Sequence, residues 1–183
     1  MSKNLSNVQK IFNVCRIISK AIFILSIIGA VACFVGFTAL WGLHKVEVDG
    51  IEVVNILEEG GEPFVTMMFS ICIAMLSCIS GAIISKFAEI YFSNELEVGT
   101  PFTYSGAKEL LTIGILSFAL PTAVSIISGI AYTITKLYWP MLELEISGMS
   151  ISIEVALIIV VISYVFRYGA ELEEKAINNT EQN

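Results

Sequence analysis

The chain reads as an all-α membrane protein, a four-transmembrane-helix bundle with small β-hairpins in its two extracytoplasmic loops. Three observations predict that class. Residues 21–43, 63–85 and 110–135 contain no charged side chain, and each exceeds the ~20 apolar residues that a helix needs to cross ~30 Å of hydrocarbon. A fourth stretch, 151–170, is apolar over most of its length. A hydrophobic fraction of 56% and a mean hydropathy of +0.81 argue against a water-soluble class. The whole of 1–183 is expected to form one integral membrane domain.

Residues 1–20 place Leu5, Val8, Ile11, Phe12, Cys15 and Ile18 at helical spacing, with Lys3, Lys10, Arg16 and Lys20 around them. Such a basic amphipathic segment either lies on the inner membrane surface, drawn by anionic lipid, or simply extends the first span into water. A cleaved signal peptide is the rival reading, with Ala30-Val31-Ala32 as a small-x-small site. The apolar run continues past Ala32 without a polar break, which favours a retained span.

Loop charge orients the spans, because Lys and Arg near span ends resist translocation. Eight of the ten basic residues precede the first span, lie in the loop 86–109, or lie at or beyond the inner end of the fourth span; only Lys45 and Lys136 lie in the loops 44–62 and 136–150. Both termini and the tail 171–183 are therefore expected in the cytoplasm of a bacterial cell, and the protein in its cytoplasmic membrane. Trp41, Tyr138 and Trp139 at outer span ends, with Tyr91, Tyr104 and Tyr168 at inner ends, fit interfacial belts in the same orientation. Glu47, Asp49, Glu52, Glu58, Glu59 and Glu62, together with Glu143, Glu145 and Glu154, set against Lys45 and Lys136, give the outer side the whole formal charge of −7. That field disfavours anionic ligands outside and favours cations or basic partners. Nucleic acid is excluded as a partner, since no basic patch interleaved with aromatics exists to neutralise phosphates.

In the first outer loop, residues 46–53 alternate apolar and acidic side chains about Asp49-Gly50, a strong hairpin signal. The two-residue turn pairs Val48 with Ile51 and Glu47 with Glu52. Residues 142–153 alternate similarly about Ser147-Gly148. Isolated hairpins are marginal in water, so the two are expected to join as a sheet of three or four strands capping the helices. Opposed carboxylates repel unless neutralised, which makes Glu47, Glu52, Glu143 and Glu145 a candidate outer site for a divalent cation; the competing reading is a solvated acidic face. One short strand is expected to yield to the fourth helix, which needs its residues for length. Glu154 then falls in the first helical turn, where negative charge is welcome at a helix N-terminus. Had the helix begun earlier, this acid would lie deeper in the membrane and imply a function.

Small residues recur within the spans. Ser70, Ala74, Cys78 and Ala82 are four apart on the second, while the first offers Ala32 with Gly36 and Gly29 with Cys33. Such faces let helix backbones approach closely; a pore lining is the sharper alternative. Pro121, with Ser117 and Ser125 one turn either side, is expected to kink the third helix, as a static bend or a hinge. The inner loop holds Gly99-Thr100-Pro101-Phe102-Thr103. Gly99 and Pro101 break the helix, Phe102 anchors at the interface, and Thr103 or Ser105 caps the third helix.

No catalytic constellation is present. His44 is the only histidine and has no Cys, His or Asp set near it in the sequence, so neither a metal-dependent enzyme nor an activated serine is indicated. Cys15, Cys33, Cys72 and Cys78 place no pair in an outer loop, so no disulfide is expected. Nor does any phosphate loop or cofactor motif occur.

At Gly99-Thr100-Pro101-Phe102-Thr103 followed by Lys108-Glu109-Leu110, and at Tyr164-Val165-Phe166-Arg167-Tyr168-Gly169-Ala170-Glu171-Leu172, the chain resembles the YoaS-like family of bacterial four-span membrane proteins, a domain of unknown function. The resemblance implies a small integral protein of the cytoplasmic membrane, often encoded beside a helix-turn-helix regulator, and points to Arg167 and Gly169 as motif residues. It brings no substrate and no catalytic residue. Many members carry Gln-x-x-x-Asp-x-Thr-Leu/Val after Gly-x-x-Leu; Glu173-Glu174-Lys175-Ala176 and Asn178-Asn179-Thr180 depart from that tail. The functional expectation is a non-enzymatic membrane component that senses or binds a partner, itself or another membrane protein, through its acidic outer side. The alternative is a small oligomeric transporter or channel subunit.

Overall fold

The computed structural model describes residues 3–43, 47–48, 51–52, 64–98, 103–138, 140 and 153–181. Four helices account for nearly all of them: α1 Lys3–Leu43, α2 Phe64–Val98, α3 Tyr104–Tyr138 and α4 Ile153–Glu181. Each contains a segment long and apolar enough to cross a membrane. The chain therefore has the make-up of a multi-pass membrane protein, and its helices fit a four-helix bundle. At 1.5 Å per residue, the 41 residues of α1 and the 35 of α2 and α3 extend about 60 and 52 Å, well beyond the ~30 Å hydrocarbon thickness. The charge-free stretches are thus the middles of longer helices. Lys86, Glu89, Asn94 and Glu97 continue α2 past its apolar part, because helical backbone bonding persists wherever polar side chains can be solvated.

The β cap requires correction, and the fold is all-α. Among the described residues the only extended pairing is the antiparallel contact of Glu47–Val48 with Ile51–Glu52, in the register Glu47 to Glu52 and Val48 to Ile51. That is the register set by a two-residue turn. The pairing has two residues on each side and, among the described residues, no third strand, so it forms neither the expected hairpin layer nor a cap. The physical reason is that an isolated ribbon is marginal without a sheet or helix against it, and a glutamate pair in register adds repulsion. Residues 141–152, and with them Glu143, Glu145 and most of the second expected hairpin, lie outside the described residues. α4 begins at Ile153 and holds Glu154, which is exposed, in its first turn.

By its contacts the chain divides into two compact units. One comprises Met1–Ile24, Gly81–Leu120 and Ser150–Asn183; the other comprises Leu25–Ser80 and Pro121–Met149. In the first, the N-terminal segment continues α1 without interruption and packs on α2. Phe12 lies 6.4 Å from Tyr91 and 5.7 Å from Phe92 between ring centroids. Packing on aromatic rings, combined with helical continuity, favours the extension of the span over a separate surface helix. Gly114 admits α4 so closely that a Cβ there would lie 2.9 Å from Val160 Cγ2.

In the second unit the small-residue faces of α1 and α2 meet. A Cβ on Gly29 would lie 3.0 Å from Cys78 Sγ, and one on Gly36 would lie 3.8 Å from Ile71 Cδ1. Backbone approach of this kind supplies dispersion energy where lipid removes any hydrophobic drive between helices. All four cysteines are free thiols. Pro121 sits inside α3 and has no N–H to offer the carbonyl of Ser117. Hydroxyls within the apolar stretches turn back on their own helices, as Thr133 does to the Gly129 carbonyl at 2.9 Å and Thr135 to that of Ala131 at 2.8 Å.

Candidate functional site

The most developed polar site joins the end of α2 to the start of α3, within the first unit. Thr103 immediately precedes α3 and caps it. Its carbonyl accepts from Ala107 N–H at 3.0 Å and its hydroxyl oxygen accepts from Gly106 N–H at 2.9 Å, the reciprocal geometry of an N-cap. The same hydroxyl donates to Glu95 Oε1 at 2.9 Å. Glu95 is 3% exposed although it is an acid near a helix end. Its carboxylate occupies the space left by the missing side chain of Gly106: an added Cβ would collide with Glu95 Oε1 and stand 2.7 Å from both Glu95 Cδ and Thr103 Oγ1. Glycine at 106 is thus what lets the carboxylate reach the α3 N-terminus, where unpaired N–H groups and the helix dipole favour negative charge.

A second carboxylate enters from one turn further along α3. Asn94 Nδ2 donates to Glu109 Oε1 at 2.9 Å. Each acid therefore has one oxygen engaged. The other, Oε2 of Glu95 and Oε2 of Glu109, is buried and has no hydrogen-bond partner. Both acids line a cleft of about 260 Å³, completed by Glu97, Val98 and Ser105 beside the residues already named. Among the described residues no lysine or arginine lines it. Tyr91, 2% exposed and one helical turn before Glu95, belongs to the same end of α2.

A neighbouring contact ties α3 to α4. Arg167 Nε donates to the Tyr104 hydroxyl at 3.1 Å, its guanidinium lies 5.1 Å from that ring's centroid, and Glu171 Oε1 is 3.7 Å away. The pairs are exposed, so each contributes only modestly.

Of the residues singled out in the sequence, Thr103 and Arg167 come to this site, Thr103 in the cleft and Arg167 on the residue next to it. Gly169 is half-buried in α4. Gly99, Pro101 and Phe102 lie outside the described residues. Glu47 and Glu52 are placed in register by their backbones, whereas Glu143 and Glu145 are not among the described residues, so the four are not brought together as a cation site. Pro121 is internal to α3, and Glu154 is at the exposed start of α4. Among the described residues no group of three or more His, Cys, Asp or Glu forms a metal-holding set. Sequence reasoning missed Asn94, Glu95 and Gly106 and gave Glu109 no role. The available signal was the four-residue spacing of Tyr91 and Glu95, which shows one helical face continuing beyond Ser85.

No family model, curated protein or solved structure matches the chain.

Proposed function

We propose that this is a non-enzymatic membrane component of the bacterial cytoplasmic membrane that binds a partner or signal at its polar helix ends and loops and has a sensing or regulatory role. Both termini face the cytoplasm in this reading, with the acidic loops outside. The observation that carries it is the separation of apolar and polar parts. The stretches 21–43, 63–85 and 110–135 contain no charged residue, whereas the buried carboxylates of the described helices stand beyond them, at the α2–α3 end. Moving an ion or proton through the helices ordinarily requires an ionisable group at membrane depth; binding at the ends does not. Membership of the YoaS-like family is part of the same proposal and is supported by the short motifs that carry the resemblance. Crosslinking in native membranes followed by mass spectrometry tests the reading: a reproducible partner, or a second copy of the chain, is expected, and recovery of neither would remove its basis.

A second reading is favoured by one observation in the other unit. Thr66 Oγ1, Ser80 Oγ and Ser128 Oγ are buried without partners, as in a polar seam of a small oligomeric transporter or channel subunit. Solute flux in proteoliposomes containing only the purified protein would favour that alternative.

A further inference from the structure

Lys20 is the last residue before the charge-free stretch of α1, and Lys86 is the first after that of α2. The structure brings these two boundaries together within the first unit. Lys86 Nζ lies 5.3 Å from the centroid of the Phe23 ring on α1 and pairs with Glu89 Oε2 at 2.8 Å. Lys20 and Arg16 act on the same Glu89 carboxylate through space, yet among the described residues neither forms an ion pair. Arg16 Nη2 donates to Asn13 Oδ1 at 3.1 Å, which occupies one of the five guanidinium donors. Three cations thus gather around one acid, and two positive charges are left unmatched where the helices leave hydrocarbon. Arg16 and Lys20 are one helical turn apart, a spacing at which like charges destabilise a helix unless an anion joins them.

We propose that Arg16, Lys20 and Lys86 form a site for the phosphodiester headgroup of an anionic phospholipid, between α1 and α2 at the end of their charge-free stretches. The height fits. Arg16 stands four residues beyond Lys20, about 6 Å along the helix axis, and the headgroup layer adds ~5–7 Å to each side of the hydrocarbon. The chemistry fits as well, because a guanidinium fork matches two phosphate oxygens while the ammonium groups act as point charges. Basic pockets between spanning helices are where acidic lipid headgroups bind. Ile24, one turn from Lys20 toward the apolar middle of α1, and Ile83, one turn from Lys86 toward that of α2, are both exposed. Apolar surface for acyl chains therefore continues directly from the cations, which suits a phospholipid and gives free phosphate nothing. Glu89 fixes the Lys86 ammonium beside α1 and competes with the headgroup for it. The site depends on the span ends alone, and on neither the proposed sensing role nor the direction in which the helices cross.

The test is native mass spectrometry of the full-length protein in detergent, titrated with phosphatidylglycerol or with phosphatidylcholine of the same acyl chains. The wild type is expected to retain phosphatidylglycerol at least ~5-fold more tightly, and Arg16→Gln and Lys20→Gln should each lower that affinity about 5-fold, as expected for one cation at a charged membrane surface. Glu89→Gln should raise it, since the competing acid is gone. Lys136→Gln removes a cation at another span end and should change it by less than about 2-fold, since an isolated exposed charge contributes little. Equal retention of the two lipids overturns the proposal. So does a loss in Lys136→Gln as large as that in Lys20→Gln, which would show a general preference of span ends, or displacement of the lipid by an equal concentration of inorganic phosphate, which would make the ligand a free anion. A second measurement on the wild type covers a variant that does not fold. Phosphatidylglycerol, compared with phosphatidylcholine, should slow acylation of Lys20 and Lys86 by an amine-reactive ester several-fold, read by peptide mass spectrometry, and leave Lys136 unaffected. Equal rates in the two lipids overturn the site.

Discussion

In the unit formed by Met1–Ile24, Gly81–Leu120 and Ser150–Asn183, helices are joined by directed polar contacts: Thr103 to Glu95, Asn94 to Glu109 and Arg167 to Tyr104. In the unit formed by Leu25–Ser80 and Pro121–Met149, the close contacts are of another kind, with Gly29 against Cys78, Gly36 against Ile71 and Phe69 in edge contact with Tyr132 at 6.3 Å. The difference follows the composition. The helical parts of the second unit come largely from charge-free stretches, where only shape and dispersion are available between helices. The first draws on the helix extensions, where donors and acceptors are plentiful and their geometry decides what they contribute. Glycine serves both units differently: Gly29 admits a neighbouring helix, whereas Gly106 admits a carboxylate.

The sharpest way to break the polar unit is to fill Gly106. Gly106→Val should lose about 3 kcal/mol, because its side chain must displace the buried carboxylate or the Thr103 cap; the unfolding midpoint in detergent reads the loss. Adding Glu95→Ala should recover part of it, and no recovery would show that the glycine serves the cap alone. The packed unit has its counterpart in Gly29→Leu, expected to cost about 2 kcal/mol. Cys78→Ala, by removing the sulfur that a Cβ at 29 would meet at 3.0 Å, should relieve some of that cost, and a double-mutant cycle checks the coupling. Additivity would mean that the two residues do not share one contact. Thr103→Val removes the cap hydroxyl while keeping the shape and should destabilise by ~1 kcal/mol, with faster amide exchange confined to the first turn of α3. The smallest effect is expected of Arg167→Lys. It loses the directed Nε bond and the planar group over Tyr104, but exposure keeps the change below about 1 kcal/mol; a loss well above that would show a tighter tie between α3 and α4 than its exposure implies.

Three of the four candidate spans were legible because hydrocarbon excludes charge so strongly that uncharged runs mark them directly. Their helices were less so: hydropathy falls at Lys86, yet α2 continues to Val98, since losing apolarity ends a span and not a hydrogen-bonded helix. That continuation hid the cleft, because Glu95 and Thr103 were read as parts of a loop. A cap by Thr103 or Ser105 was expected from their position before an apolar helix, and Thr103 supplies it, but Glu95 as its partner was not expected, because a contact across eight residues depends on how the intervening chain turns. The β cap failed for a different reason. Alternation of Val, Ile and Glu specifies which residues can share a face, and says nothing of whether a third strand or a covering layer exists to make the face worth forming. Pro121, expected to kink the third helix, lies inside α3.

The absent side chain at position 106 also constrains how this protein can diverge. Any bulk gained there must be matched by a shorter residue at position 95, so in related chains the two sites are expected to drift as a pair. A lineage that keeps glycine at 106 while exchanging Glu95 for alanine would retain the vacancy and lose its tenant, and such sequences would reveal whether the space is preserved for the acid or for the helix start alone.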